Sequence, residues 1–174
     1  MTLVINLVGS PGTGKSTVAA DLFAKLKWNN INCELVTEYV KGQVFEGRNS
    51  IFHDQIYIFA KQLHAIKRVI DKVDVIVTDS PIILSLYYGK NLSDSFKKLV
   101  LEEHHSVNSL NILLKRTKPY HKVGRNQTEE ESNSIAVELK EILERNAIDY
   151  IEMDANKETA EIICNMVKGR MLIT

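Results

Sequence analysis

The sequence predicts an open α/β sheet, with parallel strands in the middle and helices on both faces. Three observations lead there. Short β-branched apolar runs alternate with longer stretches whose apolar residues repeat at helical spacing, and strands that alternate with helices pair in parallel through right-handed crossovers. The punctuation agrees: Gly9, Gly12 and Gly14 fall within six residues, and Pro11, Pro81 and Pro119 each close an apolar run or follow one, as loop residues do. Finally, 174 residues with 44% hydrophobic and 25% charged side chains suffice for one domain with its own core. A single domain over 1–174, without internal repeats, is expected.

Taken in order, 3–8 is an apolar run cut off by Gly9, the mark of a buried strand. From Lys15 onward Val18, Ala19, Leu22, Phe23 and Leu26 follow one helical face. Residues 31–37 form a second strand. Phe52, Ile56, Phe59, Leu63, Ile66 and Ile70 then step by four and three, which predicts a helix and puts Phe52 on the core-facing stripe with Ile56 and Phe59. Strands follow at 73–78, 110–114 and 147–153. Helices are expected over about 94–105, around Ile135, Leu139, Ile142 and Leu143, and around Ala160, Ile163 and Val167. In such sheets ligands bind at the carboxyl ends of the strands.

Charge and composition exclude several functions. The 22 basic and 22 acidic side chains cancel, whereas a non-specific nucleic-acid binder normally carries a net basic face. No apolar run approaches the ~20 residues of a membrane span, and no cleavable leader pattern opens the chain. A cytoplasmic protein with no membrane partner is expected, with Cys33 and Cys164 as reduced, buried thiols.

The chemistry starts at Gly9-Ser10-Pro11-Gly12-Thr13-Gly14-Lys15-Ser16, which fits G-x-x-x-x-G-K-[S/T] between a predicted strand and a predicted helix. Glycines let successive amides turn inward and approach an anion closely, and the helix that follows adds its positive end. Gly9, Pro11, Gly12, Thr13, Gly14, Lys15, Ser16 and Thr17 are therefore the nucleotide-binding candidates, with Lys15 reaching the β and γ phosphates and the Ser16 hydroxyl on Mg²⁺. The segment resembles the Walker A motif of the P-loop nucleotide-binding superfamily, and 73–79 resembles its Walker B strand. That resemblance implies ATP and Mg²⁺ as cofactors, with Asp79 holding the metal beside Ser16. A strand-ending turn residue or a helix cap before Pro81 is the other reading of Asp79.

Other features separate the branches of that superfamily. Ser80 and Pro81 stand where ATP-hydrolysing motors usually place a glutamate, the base-reading N-K-x-D of G proteins is missing, and the chain lacks room for the added helical domain of AAA+ machines. Phosphoryl transfer to a bound acceptor is favoured over hydrolysis. Thr37-Glu38-Tyr39-Val40, at the end of the second strand, puts a carboxylate where it can act as general base. It is similar to the T-E-P-V motif of deoxyribonucleoside kinases, with Tyr39 replacing proline. It looks closer to the E-Y of ribosylnicotinamide kinase domains and small phage-encoded P-loop kinases, which also continue into a glutamine-containing helix and a D-S-P or D-T end. The resemblance implies a three-layer fold with five parallel strands in the order 2-3-1-4-5. A solvated strand-end glutamate is the other reading of Glu38.

Residues 115–125 carry five lysines and arginines and no acid. By position they resemble the LID flap of small-molecule kinases, an insertion placed at 115–128. Arg116 and Arg125 are its phosphate-gripping candidates, since a guanidinium holds two oxygens at once; a solvated or nucleic-acid-contacting loop is the alternative. For the acceptor pocket, Lys41, Phe45 and Gln55 are the candidates, with Phe52 and Tyr57 as further rings and Arg48 as a further cation. Glu102-Glu103-His104-His105 lacks partners at metal-ligand spacing, and His53 and His64 read as surface or packing residues. The expected function is ATP- and Mg-dependent transfer of a γ-phosphoryl group to a nucleoside, nucleotide or nucleoside-like small molecule, by a monomer or homodimer; Arg48 and Lys41 holding a phosphate already on the acceptor would make it a monophosphate kinase. A kinase of nucleic-acid hydroxyls, a stand-alone ATPase or switch, and a silent binding module remain as alternatives.

Overall fold

A computed structural model describes residues 1–121 and 127–171. Five parallel strands form one sheet: β1 (Leu3–Val8), β2 (Cys33–Val36), β3 (Val75–Thr78), β4 (Asn108–Arg116) and β5 (Ile151–Ala155), in the order β2-β3-β1-β4-β5. Register puts Leu3 beside Val75 and Asn108, and Arg116 beside Ala155. The helices are α1 (Lys15–Trp28), α2 (Tyr39–Phe45), α3 (Gln55–Lys67), α4 (Ser85–Tyr88), α5 (Asp94–His105), α6 (Glu129–Arg145) and α7 (Thr159–Met171), with 3₁₀ turns at Asn49–His53 and Ile82–Leu84. The expected strand order and the helices on both faces are present.

The period of two in β1 divides the core. Leu3, Ile5 and Leu7 face Leu22 and Leu26 of α1 and Ile163 and Val167 of α7, while Val4 and Val8 face Phe59 of α3, Val100 of α5 and Leu139 of α6. Both layers are apolar, which burial of a parallel sheet on two sides requires. Asn6 is the exception in β1. Its Nδ2 donates to Asn111 Oδ1 at 2.9 Å, and Asn111 Nδ2 donates to the Asp149 carbonyl at 3.0 Å, so a buried amide chain links β1, β4 and the lead-in to β5.

Several boundaries differ from expectation for local reasons. The second strand starts at Cys33 because the Ile31 amide bonds back to the Leu26 carbonyl, closing α1 through Asn30 at φ 56°. The helix containing Phe59 starts only at Gln55, since Asp54 caps it by accepting from the Tyr57 amide at 3.0 Å. Phe52 therefore lies in the preceding 3₁₀ turn, and Ile56, expected on the core-facing stripe, is 56% exposed. The fifth strand is shifted toward the C-terminus: Ile148 is buried in the lead-in, after Ala147 at φ 51°. Helix α6 begins at Glu129 because Thr128 and Glu131 form a reciprocal capping box. Lys115 and Arg116 consequently belong to β4, and Thr128 to a helix cap, so the ends of the expected 115–128 flap are regular structure. Residues 122–126 lie outside the described residues.

Candidate nucleotide site at the carboxyl ends of the strands

The chain leaves β1 at Gly9 and re-enters regular structure at Lys15, so the phosphate-type loop occupies the carboxyl end of the central strand. Gly9 is closely packed: a Cβ there would lie 3.2 Å from both the Leu114 carbonyl and Thr13 Cγ2, so a larger residue would push one of them aside by a few tenths of an ångström. Gly14 is required by backbone shape, at φ 106°. It caps α1, which has no side-chain cap and no acid in its first turn, so the positive end of the helix faces the loop. Thr13 is buried and donates to the Ser10 carbonyl at 2.7 Å, bracing the turn from within. Lys15 arches back over the loop, its Nζ donating to the carbonyls of Gly9 (2.8 Å) and Ser10 (3.0 Å). Ser16 and Thr17 are on the first turn of α1, both exposed.

The adjacent strands supply the second wall. Asp79 follows β3 and is only 5% exposed; its Oδ1 accepts from the Glu38 amide at 3.0 Å. Burial pushes its carboxyl above the usual carboxylate range, against the opposing pull of Lys15, the Glu38 amide and Lys41. Glu38 is the exposed N-cap residue of α2. The two candidate acids are thus neighbours through one backbone hydrogen bond, across a gap of 41 residues in sequence.

A residue absent from the sequence-based candidates fixes this junction. Gln62 of α3 is 4% exposed; its Oε1 accepts from the Tyr39 amide at 3.3 Å, and its Nε2 donates to Thr78 Oγ1 at 3.4 Å. Thr78 Oγ1 also accepts from the Ser80 amide at 3.2 Å. Gln62 therefore clamps the start of α2 onto the end of β3. The signal in the sequence is its position: a polar residue one place before Leu63 of the apolar stripe must find partners inside.

On the other side α6 closes over the loop. Ser132 is fully buried and donates to the Pro11 carbonyl at 2.7 Å, with Ser10 Oγ 3.0 Å away. Arg116 lies on Glu129 (2.6 Å) and Asn133 (2.6 Å), with its guanidinium 5.3 Å from the Tyr120 ring centre. Lys115 pairs with Glu152 and Asp154. Two of the basic residues are thus engaged by acids, which weakens a nucleic-acid-binding reading of this segment. Arg125 lies outside the described residues.

The acceptor candidates are scattered. Lys41 is exposed on α2, close enough to act on Asp79, whereas Phe45 at the end of α2 is 73% exposed. Gln55 donates to the Phe52 carbonyl at 2.7 Å, a use internal to its own turn. Arg48 pairs with Glu46. Tyr57 packs edge-to-face on Tyr39, and the Tyr39 hydroxyl donates to the Tyr57 hydroxyl at 3.4 Å. A cleft of about 590 Å³ opens instead between α4 and α6, lined among others by Tyr87, Tyr88, Glu130, Glu131 and Ile135. Tyr88 is 40% exposed overall, yet its hydroxyl end is desolvated. That desolvation, and then the charge of Glu38, push the phenol above its usual range.

A loop of this shape followed by a strand-end aspartate is a nucleotide-binding arrangement, and a family model described as an AAA domain, AAA_28, matches residues 4–160. The chain belongs to the AAA_28 family. No curated protein matches it significantly. Among solved structures, NadR in complex with NR superposes with a TM-score of 0.72 at 18% identity, covering 97% of this chain and 51% of that one. The AAA_28 chain therefore spans about half the length of NadR. Deoxyadenosine kinase from M. mycoides with bound dATP gives a TM-score of 0.59 at 19% identity, over 95% of this chain and 99% of that one. The same enzyme with dcmp and dcdp gives 0.56 at 18% identity, over 95% and 99%. At these identities the likeness establishes a shared fold, that of small P-loop kinases. No helix among the described residues is long and apolar enough to cross a membrane.

Proposed function

We propose that this AAA_28 protein is an ATP- and Mg-dependent phosphotransferase whose acceptor is a nucleoside-like small molecule. The observation that carries the reading is the pairing of Glu38 with Asp79 beside the Lys15 loop. A hydrolase needs a water-activating group alone; a second carboxylate, exposed on the α2 cap next to the Asp79 junction, suits the deprotonation of an acceptor hydroxyl.

Each residue has its own part in the transfer. The loop amides of 9–14 and the positive end of α1 hold the triphosphate, and Lys15 leaves its two carbonyl partners to neutralise the β and γ phosphates. Asp79 and Ser16 are oxygen donors of the kind Mg²⁺ takes. The metal fits on an observation of the site: the Asp79 carboxylate is buried with its pKa pushed up, so a divalent cation there would relieve an incompletely compensated charge. Bound Mg²⁺ would screen the phosphate oxygens. Glu38 orients or deprotonates the acceptor hydroxyl. Arg116, released from Glu129, grips the moving phosphoryl, with Arg125 as the second cation.

For the acceptor, the cleft beside Tyr88 is a better fit than the α2–α3 wall, where Phe45 is exposed and Gln55 is occupied. Tyrosine rings offer stacking, and Glu130 and Glu131 repel an acceptor that already carries phosphate. The reading therefore favours an unphosphorylated nucleoside over a monophosphate. The folds it shares, those of NadR in complex with NR and of a deoxyadenosine kinase, support the same choice. One test decides: transfer of labelled γ-phosphate from ATP across nucleosides, their monophosphates, ribosylnicotinamide and DNA. Label in a nucleoside monophosphate is expected. A stand-alone ATPase is the second reading, favoured by the AAA description of the family; inorganic phosphate released at one rate with and without acceptor would establish it.

A further inference from the structure

The first two turns of α6 hold the nucleotide loop and the candidate phosphoryl-gripping arginine at once. Ser132 is the contact on the loop side. It is the fully buried polar residue on that turn, and its hydroxyl has no role in capping or extending the helix, since Thr128 and Glu131 perform the cap. Instead it donates to the Pro11 carbonyl at 2.7 Å and lies 3.0 Å from Ser10 Oγ. Ser10 Oγ is in turn 3.2 Å from Thr13 Oγ1, which donates to the Ser10 carbonyl. A chain of hydroxyls therefore runs from α6 into the interior of the loop. Glu129 and Asn133, three residues before Ser132 and one after it, hold Arg116. Positions three and four apart share one helical face, so Glu129, Ser132 and Asn133 form a single edge that touches both halves of the site.

We propose that Ser132 is a positioning residue for the phosphate loop, and that through it the placement of α6, with Arg116 on its edge, is coupled to triphosphate binding. The proposal rests on the nucleotide half of the functional reading and on no particular acceptor. The Pro11 carbonyl is engaged separately from the Lys15 contacts, which fall on Gly9 and Ser10. Fixing it sets the curvature with which the following amides face an anion. Loss of the hydroxyl leaves the Pro11 carbonyl without its donor and Ser10 Oγ without its partner on α6, and the loop relaxes to find others.

The test is equilibrium binding of ATP, ADP and AMP to the full chain with Mg²⁺, for wild type, Ser132→Ala, Ser10→Ala and the double variant. Ser132→Ala is expected to weaken ATP and ADP by about tenfold and AMP by less than about twofold, because the loop grips the outer phosphates. The double variant is expected to lose less than the product of the two single losses, since both belong to one chain of hydroxyls. Hydrogen exchange of the wild type supplies a readout free of substitution: ATP should slow exchange of the 132–136 amides more than that of 140–145. Ser132→Ala binding ATP within about twofold of wild type, equal losses for ATP and AMP, or uniform protection along α6 would each overturn the proposal. A wild type that binds no triphosphate would overturn the functional reading itself, a different outcome from a wild type that binds and a variant that matches it.

Discussion

Replacing Gln62 with Met tests whether the Glu38–Asp79 junction is held by the buried amide. The substitution keeps an unbranched chain of similar size, so little cavity forms. What is lost can be read from the partners. The Tyr39 amide loses its acceptor at 3.3 Å, but α2 starts there and Tyr39 is half-buried, so water replaces part of the bond. Thr78 Oγ1 is fully buried and loses a donor at 3.4 Å, yet keeps the Ser80 amide at 3.2 Å. Both bonds are long, which puts each loss at the low end of the range for buried hydrogen bonds. The sum is about 1–2 kcal/mol. With a urea m-value of about 2 kcal/mol/M, the unfolding midpoint should fall by roughly 0.5–1 M. The catalytic effect should be larger than the stability effect, because a displacement of ~1 Å at a reacting group costs about 100-fold. We expect kcat to drop about 10- to 100-fold while ATP affinity stays within about twofold. A variant with an unchanged urea midpoint and unchanged kcat would refute the clamp.

Three further outcomes follow from the same geometry. Lys15→Ala should lower phosphoryl transfer by at least about 100-fold, by removing a charge aimed at the moving group, with little change in melting temperature; near-normal turnover would remove that role. Glu38→Gln should cut turnover by about 100-fold or more with ATP affinity retained, measured as kcat against the Kd for ATP, and an unchanged kcat would move the base elsewhere. For Asp79 the pKa is raised on folding, so the folded chain holds its proton more tightly than the unfolded one. Stability therefore falls as pH rises from the unfolded carboxylate value of ~3.9 through the raised folded value, and the deficit persists above it. Metal-free Asp79→Asn should accordingly melt above wild type at pH 7, with the difference closing as the pH falls toward ~4, and should lose transfer; a variant that melts lower at pH 7 contradicts the sign.

The fold was legible wherever a period ran uninterrupted. The run at 3–8 and the spacing of Val18, Ala19, Leu22 and Leu26 gave β1 and α1 with their buried faces, and the glycine pattern gave the loop between them. Periodicity misled where a cap overrode it: Asp54 starts α3 after Phe52, and Ile56 turns outward despite its spacing. It failed at 147–153 because Ile148 is buried from an irregular segment, which an apolar pattern alone cannot tell from a strand. The loop, Glu38 and Asp79 could be named because each ends a predicted strand. Gln62 and Ser132 could not, since their roles depend on Tyr39, Thr78 and Pro11, partners 16 to 121 residues away that only the packing of α3 and α6 brings near. The acceptor residues are hard to place for the complementary reason: the wall by α2 was inferred from chain order, whereas the open cleft lies between α4 and α6.

The most direct test of the central claim is a crystal structure with a non-hydrolysable ATP analogue and Mg²⁺. The account predicts the β-phosphate inside the 9–14 loop, within hydrogen-bond distance of its amides, with Lys15 Nζ moved off the Gly9 and Ser10 carbonyls and the metal between Ser16 and Asp79. An analogue bound elsewhere, with Lys15 still on those carbonyls and Asp79 far from the metal, would contradict it.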